Sequence, residues 1–136
     1  MKVSGLDHLV LTVKDLDATC RFYAAVLGMD IVTFGDKRKA LACSSMRIHL
    51  HEAGQKFEPK AHRPTPGGAD LCFLSTATME DVMAHLHDCE IEIILGPVRR
   101  MGAAGELESV YIRDPDLNLI EVGVKKEVVR GKGRNR

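Results

Sequence analysis

Apolar and polar residues alternate near the start of the chain, over residues 7–13. A period of two predicts a β-strand with one buried face. Apolar residues then recur at helical spacing from Leu16 onward. Asp15 is a suitable N-cap, and Gly28 suits the left-handed residue that commonly follows a helix. The first 28 residues therefore predict a strand followed by a helix.

Short apolar segments separated by turn residues continue the pattern. Three strands are predicted after the helix, at residues 31–34, 40–43 and 47–51. Residues 54–68 hold three prolines and three glycines, which predicts an irregular linker. After it come a strand, a helix capped by Thr78 and three strands, predicted at residues 70–74, 79–86, 91–95, 109–112 and 119–124. A turn is predicted at residues 114–116.

The same order of elements therefore occurs twice. A repeat of about 50 residues indicates two copies of one structural unit, each of which needs a neighbour to bury its apolar face. We interpret the chain as two βαβββ modules, at residues 5–53 and 69–124, in an α+β fold. Four strands and one helix do not bury both faces of a sheet, so the modules should pack together or pair with a second chain.

Superposing the two copies brings four polar residues to related places. His49 falls opposite Glu121, and His8 falls opposite Asp70 or Leu71, depending on a one-residue choice of register. All four polar residues interrupt apolar strands, where a histidine or carboxylate is costly without a partner. One divalent metal would satisfy several of them, and such nitrogen and oxygen ligands suit Zn, Ni, Co, Mn or Fe. Taken singly, however, each is more commonly a hydrogen-bonded or solvated residue.

Two further features bear on ligand binding. His51 lies two residues after His49 and so shares its face of the strand. Residues 96–109 contain three glycines and one proline, which predicts a loop that is mobile or sharply turned, of a length common in lids and binding segments. Arg99 and Arg100 in that segment are candidates for binding an anionic substrate, or are simply solvent-facing.

Composition and charge exclude some classes of protein and some locations in the cell. Lys plus Arg and Asp plus Glu number 19 each, so the net charge is zero, which argues against a nucleic-acid binder. The zero conceals a basic tail, since residues 125–136 carry six Lys or Arg against one Glu. No apolar run approaches the length of a membrane span, and the start lacks a signal-peptide core. The four cysteines form no CxxC pair, which favours buried free thiols and a cytoplasmic location.

The beginning and end of the chain resemble one superfamily. DHLVLTVKDLDATCRFYAAVLGM and VYIRDPDLNLIEVGV are similar to the first and last segments of vicinal oxygen chelate proteins. FEPKAHRPTPGGADLCFL is similar to a glyoxalase-domain-containing subgroup. The superfamily includes glyoxalase I, fosfomycin-resistance thiol transferases, extradiol dioxygenases and bleomycin-binding proteins. The resemblance covers roughly residues 5–124.

The resemblance implies two βαβββ modules in a cup-shaped mixed sheet around one metal ion. His8 and Glu121 match the ligands of the first and last strands. His49 stands where bacterial-type glyoxalase I has Glu, and Asp70 stands where it has His, so two ligand types are exchanged. Asp70 counts against a ring-cleavage dioxygenase. His51 is a substitute ligand if the register slips by two residues.

The expected activity is that of a metal-dependent lyase or isomerase of glyoxalase type. Glu121 or Asp70 would move the proton, His51, Arg99 and Arg100 would contact substrate, and a glutathione hemithioacetal is the default substrate. Glutathione would then be a co-substrate. A homodimer is expected, with His8 and His49 of one chain meeting Asp70 and Glu121 of the other, or else a site within one chain. The alternatives are a thiol transferase and a binding protein without activity, which the scarcity of aromatic residues disfavours.

Overall fold

The computed structural model describes residues 1–126, which form two compact units. The first unit comprises residues 1–71 and 113–119, and the second comprises residues 72–112 together with the chain from residue 120. Only Lys125 and Lys126 of the predicted basic tail are described, and the rest of that tail lies outside the described residues. None of the described helices is both long and apolar enough to cross a membrane.

The first unit contains one helix and a four-stranded sheet. Its elements are β1 (His8–Val13), α1 (Leu16–Ala25), β2 (Asp30–Phe34), β3 (Arg38–Cys43) and β4 (Met46–Glu52). The strand order is β1-β4-β3-β2, with β1 and β4 parallel and the other neighbours antiparallel. Helix α1 connects β1 to the rest, and the predicted cap is confirmed, since the Asp15 carboxylate accepts a hydrogen bond from the Ala18 amide at 3.0 Å. The predicted left-handed glycine is confirmed too, because Gly28 has φ +68°.

The alternation along β1 and β4 creates two different faces. Leu11, Val13, Ile48 and Leu50 are buried and form the core with α1 residues such as Tyr23. Successive strand residues point to opposite faces. The other face of the sheet is therefore lined by His8, Val10, Thr12, His49 and His51.

The second unit repeats this arrangement. Its elements are β5 (Asp70–Ser75, whose first two residues belong to the first unit), α2 (Met79–Asp88), β6 (Leu95–Gly102), β7 (Gly105–Arg113) and β8 (Leu119–Lys125). The strand order is β5-β8-β7-β6. The predicted cap of α2 is confirmed, because the Thr78 hydroxyl accepts a hydrogen bond from the Asp81 amide at 3.1 Å. The two βαβββ sets make the fold α+β, as predicted.

Two sequence predictions in this unit are wrong. Residues 91–94 are not a strand, and only Leu95 of the predicted strand belongs to β6. Residues 96–109 are not a mobile loop, because they form the antiparallel β6–β7 hairpin. One of the glycines that suggested a loop marks a close backbone approach instead: a Cβ on Gly96 would lie 2.5 Å from the Ser109 carbonyl oxygen.

None of the four cysteines, all within the described residues, forms a disulfide, as predicted, but only one of them is buried. Cys20 lies on the buried face of α1, Cys43 and Cys89 are partly exposed, and Cys72 on β5 is exposed. The expectation of four buried thiols is therefore wrong. The period of two explains the difference at Cys72, since its neighbours Leu71 and Phe73 are the half-buried residues of that strand.

Candidate metal and ligand site on the first sheet

Two histidines stand side by side on the face of the first sheet opposite α1. His8 begins β1, and His49 lies in the middle of the adjacent parallel strand β4. Their rings stack with centroids 4.1 Å apart and planes 13° apart. Phe34 on β2 lies against His49, with ring centroids 4.8 Å apart. Two residues that are 41 positions apart in sequence thus share one surface.

The surroundings orient His8 and keep His49 neutral. The Asp7 carboxylate lies 2.9 Å from Nδ1 of His8, and this contact lowers the pKa of Asp7. A ring that donates through Nδ1 presents its other nitrogen with a free lone pair. Burial, and then electrostatic repulsion from the neighbouring His8 and Arg47, lower the pKa of His49. A neutral imidazole is the form that binds a metal ion.

The two predicted carboxylate ligands lie elsewhere in the chain. Asp70 is the exposed first residue of β5, and Glu121 is a half-buried residue of β8 in the second unit. Within residues 1–126, no group of three or more His, Cys, Asp or Glu side chains is gathered so that it could hold a metal ion. The structure therefore brings His8 and His49 together, and the four-ligand set stays a prediction.

His51 lies one step further along the same face and is covered by the segment predicted as a linker. Phe57 from that segment stacks on the His51 ring, with centroids 3.8 Å apart and planes 7° apart. Burial, followed by the charge of Arg38, lowers the pKa of His51. Phe57 is not among the site residues predicted from the sequence; it is a lone aromatic residue in a segment rich in Pro and Gly.

The far end of this segment is held by the turn at residues 113–119, which belongs to the same unit. The Ala69 amide donates to the Asn118 side chain at 2.8 Å. Gly67 has φ +88°, and a Cβ there would lie 2.7 Å from the Asp116 carbonyl oxygen. Asn118 in turn donates to the buried Asp114 carboxylate at 2.8 Å. Residues 54–68 are irregular, as predicted, and they are also anchored at this end, so we call this segment the cover.

The cover and the sheet border a cavity of about 620 Å³ that is open to solvent on one side. Val10, Thr12 and His51 line it from the sheet, and the cover contributes Lys60 and Arg63. A volume of this size is typical of small-molecule sites.

The two predicted substrate-binding arginines lie in the second unit and have local partners. Arg99 forms an ion pair with Glu106 on β7, and Arg100 donates to the Tyr111 hydroxyl at 2.8 Å. The guanidinium of Arg100 also lies 5.4 Å from the centre of the Tyr111 ring. Arg99 borders a second cavity, of about 960 Å³, between the end of β5 and the β6–β7 hairpin. Their role in substrate binding stays a prediction.

The fold and the sequence together define the class of protein. Residues 5–122 match the Glyoxalase/Bleomycin resistance protein/Dioxygenase superfamily. The chain belongs to this superfamily, which is the vicinal oxygen chelate superfamily expected from the sequence. Its members bind small molecules, are generally metal-dependent and often form dimers.

More similar relatives carry names without a defined activity. A virulence protein of Salmonella typhimurium is 52% identical over 122 residues, which cover 90% of this chain and 85% of the relative. Its crystal structure superposes with a TM-score of 0.90 at 51% identity, covering 93% of this chain and all of that one. A glyoxalase domain-containing protein of Mycosarcoma maydis is 49% identical, over 90% of this chain and 69% of the relative.

Proposed function

We propose that this protein is a metal-dependent lyase or isomerase of glyoxalase type, in which His8, His49, Asp70 and Glu121 hold one divalent metal ion. The pair of stacked imidazoles on neighbouring strands is the observation that carries the proposal. A histidine pair on a partly open sheet face, away from the core, gains little for folding. It is the arrangement expected where two neutral nitrogen ligands converge on a cation.

The chemistry of the donor set fits a metal ion. The contact between Asp7 and His8 has the form seen in metalloproteins, where a carboxylate fixes the tautomer of a ligating histidine. The lowered pKa of His49 means that few protons compete for its lone pair near neutral pH. Two carboxylates, Asp70 and Glu121, would offset the charge of a divalent cation. The ion, when bound, would supply Lewis-acid polarisation of adjacent substrate oxygens.

The chain's own residues would then handle the proton. Glu121 or Asp70 takes a proton from one substrate carbon and returns it to the neighbouring atom, as a general base and then a general acid. A glutathione hemithioacetal is the proposed substrate, with glutathione as co-substrate. We also propose that the ligand set is completed between two copies of the chain, His8 and His49 of one with Asp70 and Glu121 of the other. A site within one chain is the alternative.

Metal titration of the purified chain tests the proposal. Apo protein titrated with Co²⁺ should bind one ion per site, and His8→Ala, His49→Ala and Glu121→Gln should each abolish tight binding. Asp7→Asn should weaken binding by about 10–100-fold, since it removes only the orienting contact. His87→Ala is the matched control, because His87 is exposed on α2 and should leave binding unchanged. If Asp70→Ala also leaves binding unchanged, the site has three ligands.

Activity is measured separately on the metal-loaded protein. Isomerisation of the methylglyoxal–glutathione adduct is the expected reaction. Absence of both metal binding and isomerisation would overturn the proposal. Metal-dependent opening of an epoxide antibiotic by a thiol, without isomerisation, would assign the chain to the transferase branch instead.

A further inference from the structure

The cavity beneath the cover has a charged wall and a neutral wall. Lys60 and Arg63 are its basic residues, and no lining residue is acidic. Lys60 forms an ion pair with Glu58 at 3.0 Å, and Glu58 is not among the residues that line the cavity. The Arg63 guanidinium has no hydrogen bond or ion pair with any residue from 1 to 126. Arg63 therefore gives the cavity a positive charge that no lining residue offsets, and an anion would compete with Glu58 for Lys60.

The neutral wall, formed by Val10, Thr12 and His51, lies beside His8 and His49 on the same face of the sheet. In the parallel register of β1 and β4, Val10 pairs with His49 and Thr12 pairs with His51. Val10, Thr12 and His51 line the cavity, so it starts one step along the strands from His8 and His49. Two residues of a strand span about 7 Å. A small molecule can therefore reach from the histidine pair to the cover.

The cover is built to hold its shape. Phe57 stacked on His51 fixes its first part, and Gly67 and Ala69 fix its end against the 113–119 turn. A segment fixed at both ends presents Lys60 and Arg63 at defined positions with less ordering cost on binding.

We infer that Lys60 and Arg63 form an anion subsite that binds the carboxylate or phosphate end of the substrate, while the oxygens at its other end lie at His8 and His49. Arginine binds both groups through paired hydrogen bonds, and lysine adds a point charge. The assignment of this anion to a substrate rests on the proposed function. The subsite restricts the expected substrate to a small molecule with an anionic tail. That tail would bind to Lys60 and Arg63 in the first unit, and not to Arg99 and Arg100 in the second.

The subsite is tested on metal-free protein, so the result does not depend on metal binding. Inorganic phosphate and acetate are titrated separately and followed by ¹H–¹⁵N NMR spectra. Saturable shifts should be confined to residues 10–12, 51 and 59–69. Saturation with phosphate alone indicates a phosphate tail, saturation with acetate alone indicates a carboxylate tail, and either result supports the subsite.

Charge variants provide the controls. Lys60→Gln with Arg63→Gln should raise the dissociation constant at least tenfold, and Lys60→Arg with Arg63→Lys should retain most of the affinity. Arg21→Gln with Lys37→Gln removes the same charge from exposed sites outside the cavity and should change it less than twofold. Shifts scattered over the surface, or equal effects of the two Gln pairs, would overturn the inference. Failure of both the Co²⁺ titration and the isomerisation assay would overturn the proposed function and leave the anion subsite standing.

Discussion

Tyr23→Phe tests the hydrogen bond that ties α1 to the turn at residues 113–119. The Tyr23 side chain is fully buried, and its hydroxyl donates to the Asp114 carboxylate at 2.6 Å. Burial, and then the hydrogen bond to Asp114, keep the pKa of Tyr23 far above its usual range, so the phenol remains a donor at any working pH. The substitution removes one hydroxyl and leaves the ring in place.

The expected loss of stability depends on the hydrogen bonds that Asp114 retains in the Tyr23→Phe variant. Hydrogen bonds to charged groups contribute about 1.5–3 kcal/mol. Asp114 retains the Asn118 side chain at 2.8 Å and the backbone amides of Asp116 and Asn118 at 2.9 Å each. Both carboxylate oxygens stay partnered, so we expect a loss of about 1.5–2 kcal/mol, in the lower part of that range.

Urea unfolding followed by far-UV circular dichroism measures this loss, since the chain has no Trp to report by fluorescence. Tyr111→Phe is the matched control, because it removes the same hydroxyl from a half-buried residue bonded to exposed Arg100. It should change the free energy of unfolding by less than about 0.5 kcal/mol. Equal losses in the two variants, or a loss below about 0.5 kcal/mol for Tyr23→Phe, would refute the reasoning.

Two further predictions concern the cover and the histidine pair. Gly67→Ala should destabilise the fold by at least about 1 kcal/mol more than Gly54→Ala, because both sites have φ near +90° but only Gly67 lies against a carbonyl oxygen; equal losses in urea unfolding would contradict the proposed clash. NMR titration should give His49 a midpoint below the ordinary value of about 6.5. Between the lowered pKa of folded His49 and the ordinary pKa of about 6.5, the folded state binds fewer protons than the unfolded state. The contribution of His49 to stability is therefore fully present above about pH 6.5 and is lost as the pH falls from there through the lowered pKa. His49→Gln should remove that part of the pH dependence, and an unchanged profile would show that another group causes it.

The local pattern of the sequence predicted the repeated order of elements and the shared face of His49 and His51 for a clear reason. Strand alternation depends on neighbouring residues, so Ile48 and Leu50 in the core place His49 and His51 on the other face. The caps at Asp15 and Thr78 are equally local, and both are confirmed.

The errors arise where distant segments decide the structure. Gly96 was interpreted as a loop residue, because the sequence does not show that the Ser109 carbonyl oxygen lies beside it. The contact between Phe57 and His51 was not predicted, because nothing within residues 54–68 indicates it. Asp114 was placed in a turn but not in the core, because its partner Tyr23 is 91 residues away.

The separation between Tyr23 and Asp114 also sets an order of events during synthesis. The first unit includes residues 113–119, so it is incomplete until nearly the whole described chain has left the ribosome. Until then the Tyr23 hydroxyl, the Ala69 amide and the Lys14 amide lack the partners that the turn supplies. Although β1 to β4 are synthesised first, the first unit can complete its fold only after α2 and the β6–β7 hairpin have also been synthesised. A fragment ending at residue 71 should therefore be degraded or aggregate, and the two halves of this chain are not separable by a single cut.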